Sequence, residues 1–175
     1  APIAYPLPAM SDDLHATLPP WPERFNLCEY FLDRNLAEGR GAKVALHCAE
    51  ETRTFAELVE RSRRAAAALR RRGVRPEERV LIVLPDGFEF AEAWFGTLRA
   101  GAVFAMVNPL LKRAQAAHIL ADSGARLLIG TASRLKSLED GDVPSDCAQL
   151  EEVEALQAAW SATSQANLWV FPLLV

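Results

Sequence analysis

Between Arg79 and Gly130 three short apolar runs alternate with two helical patterns, and this rhythm restricts the possible folds more than any other feature of the chain. The runs are RVLIVL from Arg79 to Leu84, AVFAMV from Ala102 to Val107 and RLLI from Arg126 to Ile129. The first is continuous rather than alternating, which is the mark of a strand covered on both faces. Strands that alternate with helices read as β-α-β-α-β, so the expected fold is α/β, a mainly parallel sheet with helices on both faces. Local punctuation agrees. Pro85-Asp86-Gly87 turns the chain into a helix that carries Phe88, Ala91, Trp94, Phe95 and Leu98 on one side, and Gly101 stops it. Asn108-Pro109 breaks the second strand. A helix from Lys112 to Ser123 follows, closed by Gly124.

The region ahead of this unit reads as follows. Residues 1–22 contain Pro2, Pro6, Pro8, Pro19, Pro20 and Pro22, and proline both fixes φ and removes a donor, so an extended arm is expected. Met10 is a candidate start, with the nine residues before it a leader or a cloning remnant. Asn26, with Glu29 three residues on, predicts a helix start, with Leu27, Tyr30, Phe31 and Leu32 as its apolar stripe and Gly39 and Gly41 at its end. Lys43 to Cys48 predicts a strand, Glu50-Glu51 a turn, and Thr52-Arg53 a short return strand. Thr54-Phe55-Ala56-Glu57 is a capping box that opens a helix to Arg72, stopped by Gly73. Phe55, Leu58, Val59, Ser62, Ala66 and Leu69 share its inner face, and Arg61, Arg64, Arg71 and Arg72 fall mainly on the other, read as a solvated face. After Gly130 a short helix is expected from Ala132 to Leu138, a polar turn region from Asp140 to Asp146, and helix from Leu150 to Trp160. The apolar run ANLWVFPLLV at the end reads as a strand.

A chain of 175 residues with half its residues hydrophobic and net charge -4 suits one α/β domain and disfavours nucleic acid as a partner. No apolar run reaches the roughly 20 residues that cross a bilayer, and the N-terminus has no signal-peptide pattern, so a cytoplasmic protein without membrane contact is expected. Cys28, Cys48 and Cys147 are odd in number and widely spaced, which fits idle thiols rather than a disulfide framework or a zinc site. His15, His47 and His118 have no partner at metal-ligand spacing. A G-x-S-x-G elbow and a G-x-G-x-x-G turn between strand and helix are both lacking.

Several short stretches together resemble the N-terminal region of adenylate-forming enzymes, the acyl- and aryl-CoA ligases and their relatives. Thr54-Phe55-Ala56-Glu57-Leu58 is similar to that family's T-Y-x-E-L, Leu84-Pro85-Asp86-Gly87 to its L-P-N-S, and Phe88-Glu89-Phe90 to its x-E-F. Leu98-Arg99-Ala100-Gly101-Ala102 resembles L-K-A-G-A, Val107-Asn108-Pro109 the end of V-P-L-N-P, and Asp122-Ser123-Gly124-Ala125-Arg126 resembles D-S-G-A-K. Ala105-Met106-Val107 departs from V-P-L by a conservative apolar change. At the front, Phe25-Asn26, Tyr30-Phe31-Leu32-Asp33-Arg34 and Gly39-Arg40-Gly41-Ala42-Lys43-Val44-Ala45 resemble benzoate-CoA ligases, which implies an aromatic carboxylate as substrate. Gly39-Arg40-Gly41 also imitates the family's hinge motif but lies too early to be it.

The resemblance implies an incomplete N-terminal subdomain over residues 23–160, between the arm and a divergent apolar tail at 161–175. It implies ATP, magnesium and CoA as the complete enzyme's cofactors and co-substrates, and a small carboxylate as its other partner. Such enzymes hold ATP phosphates in a Ser/Thr/Gly-rich loop ending in lysine, where backbone N–H groups and a cation neutralise charge without bulk. No glycine follows Gly141, and the downstream acidic, ribose-binding and lysine motifs are also missing. The chain is therefore expected to be truncated, to lack catalytic residues, to bind none of these cofactors tightly, and to be inactive alone. Asn108-Pro109-Leu110 follows a strand's carboxyl end, where open α/β sheets bind ligands. The resemblance places this loop at the mouth of the CoA channel, with Arg134 and Lys136 available to a CoA phosphate. Two rivals stand beside it: a non-catalytic CoA-binding or dimerisation module, which associates through the tail or an open sheet edge, and a flavodoxin-like domain whose last strand has no unpaired edge.

Overall fold

The computed structural model describes residues 25–151. The arm at 1–22, most of the helix expected at 150–160 and the tail at 161–175 lie outside the described residues. A π-helical segment, Glu29–Asp33, runs into α1, Arg34–Ala37. Then come β1 (Val44–Cys48), β2 (Glu51–Thr54), α2 (Phe55–Arg71), β3 (Arg79–Val83) and α3 (Phe88–Ala100). These are followed by β4 (Val103–Met106), α4 (Arg113–Ser123), β5 (Leu127–Gly130), α5 (Ala132–Lys136) and β6 (Ala148–Glu151). Strands β1 and β2 form an antiparallel hairpin, while β3 to β6 form a parallel sheet in the order β4-β3-β5-β6.

The sheet is covered on both faces, as its apolar runs require. On one side Val80, Ile82, Leu127 and Ile129 pack against Ala65, Ala66 and Leu69 of α2 and Ala93 and Ala100 of α3. On the other, Leu81, Val83 and Leu128 pack against Leu120 of α4 with Ala125 and Cys147. The chain leaves β3 through α3 to β4, then returns past β3 through α4 to β5. Reversing the direction of travel puts the second crossover helix on the opposite face. Helices α2 and α3 lie very close together: a Cβ added to Gly96 would sit 2.3 Å from Ala65 Cβ. The capping box at Thr54 forms, with Glu57 N–H donating to Thr54 Oγ1 (3.2 Å) and Thr54 N–H to Glu57 Oε2 (2.8 Å).

Two expectations need correction. The first helix does not present the stripe Leu27, Tyr30, Phe31 and Leu32. Cys28 and Leu32 are buried against α2 and α3, Leu36 packs beside them, and Phe31 is 51 % exposed. A π turn carries one residue more than an α turn, so it rotates everything after it relative to a 3.6-residue stripe. Asn26 does cap this helix, but its Oδ1 accepts from Cys28 N–H (2.8 Å), while its Nδ2 donates to Leu98 O of α3 (3.0 Å). The second correction is β6, which begins at Ala148 and contains Leu150, where helix was expected. Four residues are too few to display a period, and pairing with β5 decides the outcome.

Helix one is fastened to α2 and α3 by a buried ion pair. Arg99 donates from Nη1 and Nη2 to Asp33 (2.9 and 3.1 Å) and from Nε to Ser62 Oγ (3.1 Å). Cys28 Sγ donates to Phe95 O (2.9 Å) at the same junction.

Candidate functional site

Among the described residues three loops leave the carboxyl edge of the parallel sheet, and the direction of the chain makes one place on that edge special. The connection from β3 leads toward β4, and that from β5 leads the other way, toward β6. The crevice between diverging connections is where open α/β sheets receive ligands. It lies between Leu84–Gly87 after β3 and Gly130–Ser133 after β5. The loop Asn108–Leu110 follows β4, one strand away.

Each loop is set by local chemistry. Asn108 Oδ1 accepts from Leu110 N–H (2.9 Å), and Leu111 N–H donates to Asn108 O (3.2 Å), which closes a tight turn ahead of α4. Pro109 fits such a turn because its φ is already fixed. Leu110 is left 88 % exposed. After β5, Thr131 Oγ1 accepts from Arg134 N–H (3.2 Å) and lies 3.1 Å from Ser133 Oγ, so Thr131 caps α5. Packing at Gly130 is close: a Cβ there would lie 3.1 Å from Leu135 Cδ2, which would have to give by a few tenths of an ångström.

Of the predicted residues only Arg134 lines a cavity, and Asn108, Pro109, Leu110 and Lys136 do not. Arg134 and Val107, the residue before Asn108, line one small cavity of about 10 Å³ with Leu81, Val83, Ala116, Leu120, Leu128 and Leu138. Every other lining side chain is apolar. Arg134 lines the cavity with its apolar stem, and its Nη2 is buried with no hydrogen-bond partner among the described residues. A buried guanidinium nitrogen without an acceptor is costly. Lys136, two residues on, is exposed to solvent. Thr131 and Ser133 escaped the sequence reading, although two hydroxyl residues directly after an apolar strand were the available signal.

Other titratable groups do not build a second site. Burial pushes the Cys28 thiol up to about 12 and the Cys147 thiol to about 11, so both stay protonated at neutral pH and neither is a nucleophile. His47 and His118 are exposed on β1 and α4. Among the described residues no group of His, Cys, Asp or Glu is placed to hold a metal ion, and no helix is long and apolar enough to cross a membrane.

Comparisons with known proteins point one way. The profile of a family described as AMP-binding enzyme matches residues 33–170. A 4-hydroxybenzoate--CoA/benzoate--CoA ligase of Rhodopseudomonas palustris is 33% identical over 145 residues, covering 82% of this chain and 26% of the relative. A benzoate--CoA ligase of Thauera aromatica is 34% identical over 119 residues, covering 66% of this chain and 23% of the relative. The chain thus spans about a quarter of the length of these relatives. Among solved structures, a benzoate CoA ligase from Burkholderia xenovorans superposes with TM-score 0.69 at 33% identity, over 77% of this chain and 28% of that one. An anthranilate CoA ligase in complex with anthranoyl-AMP gives 0.70 at 27% identity, over 79% and 28%.

Proposed function

Because this chain belongs to the AMP-binding enzyme family, we propose that it is the N-terminal portion of an ATP-dependent aryl-CoA ligase acting on an aromatic carboxylate such as benzoate. In the complete enzyme the carboxylate attacks the α-phosphorus of ATP, forming an acyl-adenylate and releasing pyrophosphate. The CoA thiolate then attacks the acyl carbon, the thioester forms and AMP leaves. One observation carries the aromatic reading: the Rhodopseudomonas and Thauera relatives both act on benzoate, and the first of them aligns across four-fifths of this chain. The flavodoxin-like alternative falls with the family match.

Within these residues the contribution to that reaction is binding. Arg134, with its unpartnered Nη2, suits a phosphate oxygen of CoA, and Lys136 is a second, exposed cation on the same short helix. The Asn108–Leu110 turn, which directly follows the cavity-lining Val107, is assigned to the mouth of the same channel. No glycine follows Gly141 in the sequence, so these residues supply no backbone cradle for the phosphates of ATP, and magnesium chemistry is assigned to none of them. The chain alone is accordingly inactive in adenylate formation. A cytoplasmic location fits a consumer of ATP and CoA.

A chimera tests the reading: residues 25–151 of this chain replace the matching segment of a benzoate-CoA ligase. The chimera is expected to form benzoyl-CoA. A folded chimera that makes no thioester from benzoate, hydroxybenzoates or anthranilate would overturn it.

A further inference from the structure

Helix α4 begins on two cations. Lys112 is its N-cap and Arg113 its first residue, and the first turn holds no acidic residue. The amino end of a helix carries partial positive charge, so cations there are repelled. The compensating carboxylates come from the loop after α5. Arg113 donates from Nε to Asp142 Oδ2 (2.6 Å) and from Nη2 to Oδ1 (3.3 Å), and its Nη1 lies 2.7 Å from Glu139 Oε1. The loop is shaped for this contact. Asp142 N–H donates to Glu139 O (3.0 Å), Glu139 N–H donates to Asp142 Oδ2 (2.8 Å), and Gly141 turns the chain at φ 94°. On either side of the turn, Leu138 and Val143 pack against the buried cluster of Leu81, Leu120, Leu128 and Cys147. Leu138 is also a wall of the cavity that Arg134 lines.

We propose that residues 137–143 form a strap that closes the apolar cavity and that Arg113 is its latch. The segment has only Leu138 and Val143 as aliphatic anchors, so little buried surface holds it and its polar contacts decide whether it stays closed. An isolated exposed ion pair contributes little. Here one guanidinium holds both oxygens of Asp142, whose side chain is 13 % exposed, and reaches Glu139 as well, which makes a network of fixed geometry. The strap is continuous with α5, since Ser137 Oγ donates to Arg134 O (2.6 Å) and Leu138 N–H to Leu135 O (3.2 Å). Opening the latch frees Glu139 and Asp142 together, lifts Leu138 from the cavity and uncovers Cys147, which is buried while the strap is closed. The strap thus governs entry of solvent to the cavity between α4 and α5. This inference is independent of the ligase reading and of a phosphate at Arg134.

Labelling of Cys147 by a maleimide tests it in the full chain at one pH, with peptide mass mapping to separate this thiol from Cys28 and Cys48. Arg113→Gln and Asp142→Asn are each expected to speed Cys147 labelling about fivefold or more and to leave Cys28 unchanged, and the double substitution to do no more than either alone. Raising salt from about 0.05 M to about 1 M is expected to speed Cys147 labelling in wild type and not in Arg113→Gln. Unchanged labelling of Cys147 in both single variants overturns the proposal. Equal acceleration of Cys28 and Cys147 overturns it too, because the whole fold would then be loosening. A double substitution whose effect is the product of the single ones also overturns it, since the two residues would then act apart.

Discussion

Removing Asp33 should destabilise the chain more than removing its buried partner Arg99. The Arg99 side chain is 5 % exposed and donates two bonds to Asp33, whereas Asp33 is 27 % exposed and has Arg63 in reach at 3.7 Å. In Asp33→Ala the guanidinium keeps only Ser62 Oγ and remains buried, because Arg99 cannot leave the α2–α3 junction without opening it. Breaking a buried pair in this way costs about 3–5 kcal/mol, and partial exposure of Asp33 argues for the low end, about 3 kcal/mol. In Arg99→Met an apolar chain of similar length fills the site, Ser62 Oγ keeps its bond to Val59 O, and Asp33 turns to water and Arg63. The carboxylate left behind is 27 % exposed and keeps Arg63 within reach, so it is not stranded as a buried charge and the cost is about 1 kcal/mol. With a urea slope of about 2 kcal/mol per molar, Asp33→Ala should lower the midpoint by about 1.5 M and Arg99→Met by about 0.5 M. The double substitution should resemble Arg99→Met alone. An Arg99→Met variant that loses more than Asp33→Ala would refute the reasoning, because desolvation would then not be what governs the pair.

Three further outcomes are expected. Gly96→Ala should cost about 1–3 kcal/mol, since the added Cβ meets Ala65 Cβ at 2.3 Å and backbone Ala66 N at 3.2 Å; an unchanged melting temperature would mean that α2 and α3 do not pack this tightly. Thr54→Ala should cost about 1 kcal/mol through loss of the cap on α2, read as a lower denaturant midpoint. Glu92 is buried, which raises its carboxyl above the ordinary 4.5, while Arg61 at 3.3 Å pulls it down less. The folded chain thus holds this proton more firmly than the unfolded chain, and that stabilisation is full below 4.5 and lost as pH rises through the folded value. The stability of Glu92→Gln relative to wild type should therefore be more favourable at pH 7 than at pH 4, and a difference that is flat or reversed between those values would contradict the burial argument.

The sheet was legible because each strand is a short apolar run and each helix has a stop residue that must act there: Gly101 at φ 78° and Gly124 at φ 59° both take the left-handed conformation. Thr54 announced its helix for the same reason, since a cap is a local device. The π turn at Glu29–Asp33 was not legible, because its cause is docking against α2 and α3. Arg99 read as part of a family motif, and only the fold reveals that it is buried against a carboxylate 66 residues earlier. The same holds at the candidate site. Arg134 could be picked out as a cation near a strand end. That its stem lines an apolar cavity depends on Leu81, Val83 and Leu120, which arrive from elsewhere in the chain.

The proposed role of Arg134 is to receive a phosphate of CoA at the carboxyl edge of this sheet. Titration of the full chain with CoA, and separately with pantetheine, which lacks the phosphates, tests it when followed by amide chemical shifts. CoA is predicted to move Asn108, Thr131 and Arg134, pantetheine to move them far less, and Arg134→Leu to abolish the difference between the two. Shifts confined to the opposite edge, around Arg79 and Arg126, or an equal response to both compounds would contradict the account.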